Sequence, residues 1–108
     1  MQRIIIKLGT SVLTKGTLHL KPQRMLEIVQ QIAKLHADGY EVIMVSSGAQ
    51  TAGRERLNFP DLGKSVPAKQ MLSAVGQSRL MRIYKDLFDI FEVIVAQILL
   101  TRDDLSHR

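Results

Sequence analysis

Two short stretches hold the residues best suited to chemistry. The first is Lys7-Leu8-Gly9-Thr10-Ser11, which follows the β-branched run Ile4-Ile5-Ile6. Lys7 offers a mobile positive charge with three donors, and Thr10 and Ser11 add hydroxyls. Gly9 permits close backbone approach or a positive φ. These are the parts of a phosphate-binding turn at the carboxyl end of a strand, where open α/β sheets place their ligands. The second stretch is Ser46-Ser47-Gly48-Ala49, which follows Glu41-Val42-Ile43-Met44-Val45. Gly48 leaves a strand and opens a helix, so its N–H can face an anion with the help of the helix dipole. Ser46 and Ser47 can orient a carboxylate or a phosphate. Each stretch alone is a weak signal and reads more readily as an ordinary helix cap or strand end; the two on one sheet edge point to an anionic substrate.

The elements between them decide whether they meet. Residues 3–8 form a first strand, rich enough in β-branched residues to be covered on both faces. Pro22 fits the first position of a helix, and Met25, Ile28, Val29, Ile32 and Leu35 recur at helical spacing up to a left-handed cap at Gly39. Glu41–Val45 is the second strand, with a helix over 50–57 behind it. Strand, helix, strand over about 40 residues is a βαβ unit with parallel strands, which puts both carboxyl ends on the same rim. Residues 12–20 read as a short turn or loose hairpin around Lys15-Gly16-Thr17, with His19 at its edge. Residues 58–65 read as a loop. Ser65 caps a long helix with Pro67 just inside it and an apolar stripe of Met71, Leu72, Val75, Leu80, Ile83, Tyr84 and Leu87. Gly76 within that helix marks a kink or a close helix contact. Val93–Leu100 reads as a third strand, and Thr101-Arg102-Asp103-Asp104 as the start of another helix.

Composition sets the outer limits. The chain has 108 residues, 45% of them hydrophobic, which suits a packed core in one domain or part of one. There is no cysteine, which excludes a disulfide scaffold and thiolate metal sites. No apolar run reaches the ~18 residues that span a bilayer, and the N-terminus lacks a signal-peptide pattern, so a soluble, cytoplasmic protein is expected. The net charge of +5 comes from scattered basic residues, and two tyrosines and three phenylalanines give few stacking platforms, so a nucleic acid partner is not expected.

Other motifs fail on inspection. Gly63-Lys64-Ser65 imitates the end of a P-loop, but the position five residues earlier is Asn58, not glycine, and no strand leads in. Ser47 lacks the flanking glycines of a hydrolase elbow, since Val45 and Ala49 stand there. His19, His36 and His107 show no metal-binding spacing, and Asp103 and Asp104 read as helix-start acids. No metal-binding residue is expected in this stretch.

Longer segments carry a resemblance. Ile6-Lys7-Leu8-Gly9-Thr10-Ser11-Val12-Leu13-Thr14 resembles the opening of the glutamate 5-kinases, a branch of the amino acid kinase family. Val45-Ser46-Ser47-Gly48-Ala49 with Ala52-Gly53-Arg54, the run Ala68–Leu80 and Gln97-Ile98-Leu99-Leu100-Thr101 are similar in the same register. The resemblance implies an α/β fold, a three-layer αβα sandwich on a mainly parallel sheet, present here as an incomplete N-terminal portion over residues 1–108. It implies phosphoryl transfer from ATP, with Mg2+, to the side-chain carboxylate of L-glutamate, the first step of proline biosynthesis. By the same resemblance Lys7 is catalytic and contacts the ATP phosphates together with Gly9, Thr10 and Gly48. Ser47, Gly48 and Ala49 would bind the glutamate. The family further implies a homo-oligomer and a longer chain that holds the adenine site, the metal ligands and any C-terminal RNA-binding-like domain. The 108-residue chain alone is expected to be inactive. A non-catalytic phosphate-binding or assembly module, or a kinase of acetylglutamate or aspartate, are the alternatives.

Overall fold

The computed structural model describes residues 2–96. It holds two strands and four helices: β1 (Arg3–Leu8), α1 (Thr10–Thr14), α2 (Pro22–Ala37), β2 (Glu41–Ser46), α3 (Ala49–Arg56) and α4 (Val66–Asp89). The strands pair in parallel, with Lys7 opposite Val45 and Leu8 opposite Ser46. The βαβ reading therefore holds, and both strands end on one rim.

Alternation along the strands separates the two faces of this sheet. Leu8, Ile6, Val42 and Met44 turn inward onto a core built with Met25, Ile28, Val29 and Ile32 of α2 and Leu80, Tyr84 and Phe88 of α4. Ile5, Ile43 and Val45 turn outward and are 56%, 37% and 52% exposed. Among the described residues the helical cover expected on both faces is thus present on one, as an incomplete αβα sandwich requires.

The helix boundaries follow local chemistry. Pro22 opens α2, and Gly39, at φ 95°, takes the left-handed position beyond its end. Ser65 Oγ accepts the Ala68 N–H at 3.2 Å and caps α4. The stripe of α4 is narrower than its sequence implies: Leu72, Gly76, Leu80, Tyr84 and Phe88 are buried at strict i, i+4 spacing, whereas Met71 is exposed.

Gly76 makes the close helix contact, not a kink. A Cβ there would overlap the carbonyl oxygen of Ala49 and stand 2.5 Å from the Gly53 nitrogen. Gly53 is the reciprocal case, because a Cβ on it would overlap the Leu72 carbonyl oxygen. The two glycines let α3 and α4 touch backbone to backbone.

Two expectations are corrected. Residues 12–20 form no hairpin, although the short turn is present at Lys15-Gly16, where the Thr17 N–H donates to the Thr14 carbonyl at 3.1 Å. Val12 and Leu13 belong to α1, with Leu13 wholly buried, and Lys15 ends that helix in the left-handed region at φ 52°. The return to α2 is tied by the Lys21 N–H, which donates to the Leu13 carbonyl at 2.9 Å. Residues 93–96, the described half of the third predicted strand, hold no ladder. Glu92 sits at φ 57°, and the Val93 N–H bonds back to the Phe88 carbonyl at 3.1 Å, so the backbone there closes the end of α4. The other half of that strand and the helix start at Thr101 lie outside the described residues.

Candidate functional site

The carboxyl rim of β1 and β2 gathers the residues singled out in the sequence. The Ser47 N–H donates to the Leu8 carbonyl at 2.8 Å, which extends the parallel ladder one residue beyond β2. Gly9 and Ser47 are thereby held side by side where the two chains leave the sheet. Lys7 lies on the outward face of β1, exposed, and Ser47 is exposed two residues past outward-facing Val45.

Each chain then enters a helix. Gly9 precedes α1 with φ −78° and ψ 162°, an extended conformation open to any residue. Its value lies in space, since a Cβ there would meet nothing within 4 Å. The protein's own packing therefore does not call for glycine at this position. Gly48 differs. It adopts φ 111°, which favours glycine, and a Cβ would come within 3.1 Å of Leu13 Cδ1. It is buried against the core, while the helix it opens starts at the surface.

Neither start is closed by a side chain. Gly9 and Gly48 offer no side-chain cap, and the first turns of α1 and α3 contain no acidic residue. The leading N–H groups of a helix have no intrahelical acceptor. At Gly48, Ala49 and Gln50 they carry partial positive charge at the rim where β1 also ends. These groups suit the oxygens of a phosphoryl group. Among the described residues no group of three or more His, Cys, Asp or Glu could hold a metal ion.

Ser46 departs from its expected role. Its hydroxyl turns inward, 2.7 Å from the Tyr84 hydroxyl and 3.0 Å from the Ser47 carbonyl oxygen. Tyr84 is the residue the sequence undervalued. It was legible as part of an apolar stripe, but a buried phenol needs a polar partner, and its partner is the last residue of β2. Burial pushes the Tyr84 hydroxyl above its ordinary value, and the bond to Ser46 pulls partly the other way.

A separate crevice of about 280 Å³ between α2, α3 and α4 is lined by Leu20, Met25, Glu55, Arg79 and Ile83 and contains none of the predicted site residues. His19 lies near it, with Nδ1 3.4 Å from Glu55 Oε2 and its ring edge-on to Phe59. No helix among the described residues is long and apolar enough to cross a membrane.

Comparison with known proteins gives a consistent result. The model of the amino acid kinase family matches residues 2–108. The glutamate 5-kinase of Herpetosiphon aurantiacus is 56% identical over 106 residues, which cover 98% of this chain and 29% of that protein. Those of Serratia proteamaculans and Escherichia coli O139:H28 are 49% and 48% identical over 107 residues, again 29% of their length. The chain therefore spans less than a third of the curated relatives it matches.

Proposed function

This chain belongs to the amino acid kinase family, and on that premise we propose that it is the N-terminal part of an ATP-dependent kinase of the L-glutamate side-chain carboxylate. The observation that carries the reading is the parallel register. It brings Lys7 and Gly9 beside Ser47 and Gly48 on one rim, with the Ser47 N–H on the Leu8 carbonyl. The identity to glutamate 5-kinases across the whole of this chain supports the choice of substrate.

The chemistry asks for what this rim contains. In the reaction a carboxylate oxygen of glutamate forms a bond to the γ-phosphorus of ATP as the bond to the ADP oxygen breaks, giving glutamyl 5-phosphate. The nucleophile is already ionised near neutral pH, so no general base is needed. Two anions must be brought together, and the protein contributes position and charge neutralisation. Lys7 neutralises phosphate oxygens, with the Thr10 hydroxyl and the Gly9 N–H beside it. Ser47 and the Ala49 N–H hold the glutamate, and the Gly48 N–H serves the phosphoryl group between them. Backbone donors are well suited because they are fixed before the charge develops.

Mg2+ accompanies ATP in this reading, but the described residues give it no ligand cluster. Its protein ligands and the adenine site are assigned to the remaining sequence of the complete kinase, which we read as a cytoplasmic homo-oligomer. The test is acyl phosphate formation by the full-length protein, trapped with hydroxylamine as a hydroxamate. L-Glutamate with ATP should give product, and N-acetylglutamate and aspartate should not. Product from either competitor in preference to glutamate overturns the substrate assignment, and no product from any of them overturns the kinase reading.

A further inference from the structure

We infer that Tyr84 and Ser46 are positioning residues that aim the Gly48 N–H at the reacting phosphoryl group. The inference rests on the role given to Gly48 above, but its geometry is independent of that role.

The direction of the hydrogen-bond chain is fixed by chemistry. The Ser47 carbonyl oxygen can only accept, so Ser46 Oγ donates to it, at 3.0 Å. The Tyr84 hydroxyl, 2.7 Å away, must then donate to Ser46 Oγ. Tyr84 is wholly shielded from solvent and keeps its proton, since burial disfavours the phenolate. The chain thus runs from Tyr84 O–H to Ser46 O–H to the Ser47 C=O.

That carbonyl belongs to the peptide whose nitrogen is Gly48. There are no cis peptide bonds among the described residues, and in a planar trans peptide C=O and N–H point in opposite directions. Holding the carbonyl at Ser46 Oγ therefore turns the Gly48 N–H to the opposite side of the peptide, away from the Ser46 hydroxyl. The atoms on either side are already fixed. The Ser47 N–H is tied to the Leu8 carbonyl, and Gly48 is buried where a Cβ would meet Leu13, Leu20 and Leu80. Rotation of the Ser47–Gly48 peptide plane is the freedom left, and the Tyr84–Ser46 chain removes it. A buried tyrosine that merely needed an acceptor could use any carbonyl; this one acts, through Ser46, on the peptide that leads into α3.

The experiment uses the full-length kinase with Y84F, S46A, S46T and the double variant Y84F/S46A. Removing a whole oriented donor costs roughly 10²–10³-fold in kcat, so loosening one is expected to cost about tenfold in S46A and somewhat less in Y84F. The KM values for glutamate and ATP should stay within about twofold, because the interaction matters most in the transition state. Two variants acting through one chain should not multiply, so the double variant should match S46A. S46T keeps the hydroxyl and should restore kcat. Wild-type kcat in folded S46A and Y84F, or losses that multiply in the double variant, overturns the inference. If the wild-type protein makes no acyl phosphate, the reading of the reaction fails instead. The relay is then decided by the Gly48 amide resonance, which Y84F must shift in the Ser46 background and must not shift in the S46A background.

Discussion

Replacing Gly76 with alanine tests how the site is built. In an ordinary helix this change stabilises by about 1 kcal/mol through helix propensity. Here the added methyl would overlap the Ala49 carbonyl oxygen and lie 2.5 Å from the Gly53 nitrogen, where ordinary contact begins at 3.4 Å. Both obstacles are backbone, so no rotamer change can relieve them, and α3 must retreat by roughly 1 Å or more along this contact. Overpacking of this kind costs about 1–3 kcal/mol, and a backbone-to-backbone clash belongs at or beyond the upper end. Subtracting the propensity gain leaves a net loss of about 2 kcal/mol. For the 108-residue chain measured alone that lowers Tm by about 8–16 °C, and in a full-length kinase by about 4–8 °C or less. Thermal unfolding followed by circular dichroism reads the change directly. Gly53→Ala should act in the same direction, and the double variant should lose less than the sum, because either methyl alone already separates the helices. A G76A protein melting at or above the wild-type temperature would refute the interlock of α3 on α4.

Three further outcomes are expected. Lys7→Ala should leave Tm nearly unchanged, since the side chain is exposed, and should lower turnover of the full-length kinase about 100-fold or more; normal hydroxamate formation by the folded variant removes Lys7 from the site. Ser47→Ala should raise the KM for glutamate about tenfold, as expected for a lost hydrogen bond to a charged group, and an unchanged KM assigns the serine no contact with substrate. Tyr84 predicts an alkaline limit to stability. Its pKa is raised on folding, so the folded form holds a proton that the unfolded form begins to lose near pH 10. This contribution is complete below that pH and disappears as pH rises through the folded-state value. Tm of the wild type should therefore fall more steeply than that of Y84F above about pH 10, and parallel curves would remove the titration of Tyr84 as the cause.

What the sequence disclosed was what repeats or punctuates. The i, i+3, i+4 pattern of α2, its opening Pro22 and its closing Gly39 are signals of a long element with marked ends, and the structure keeps all three. The same holds for Ser65 before α4. The rim itself was legible because two parallel strands joined by one helix can end nowhere else than on a common edge. Short elements gave no such signal. Five residues of α1 cannot display a helical period, and its end rests on Lys15 in a left-handed conformation that a non-glycine residue does not announce. The apolar stretch 93–96 had strand-like composition, but pairing is a tertiary property, and its first N–H is taken by Phe88.

The long helix α4 carries more of the site than its apolar pattern discloses. Three of its buried residues, Gly76, Leu80 and Tyr84, stand four apart on one face, along about 12 Å of helix axis at 1.5 Å per residue. Each meets a different point of the turn between β2 and α3. Gly76 admits the backbone of Ala49 and Gly53, Leu80 stands where a Cβ on Gly48 would meet it, and Tyr84 holds Ser46. The strand end, the left-handed glycine and the first residues of α3 are thus set by one rigid element. The β1 side has no such support at Gly9, where the space around the Cα is open. The candidate site thus has one edge fixed by packing, at Gly48, and one edge with open space, at Gly9. Substitutions on the buried face of α4 should therefore alter the geometry at Gly48 without touching Lys7 or Gly9, and turnover should fall before the affinity of the β1 turn for phosphate does.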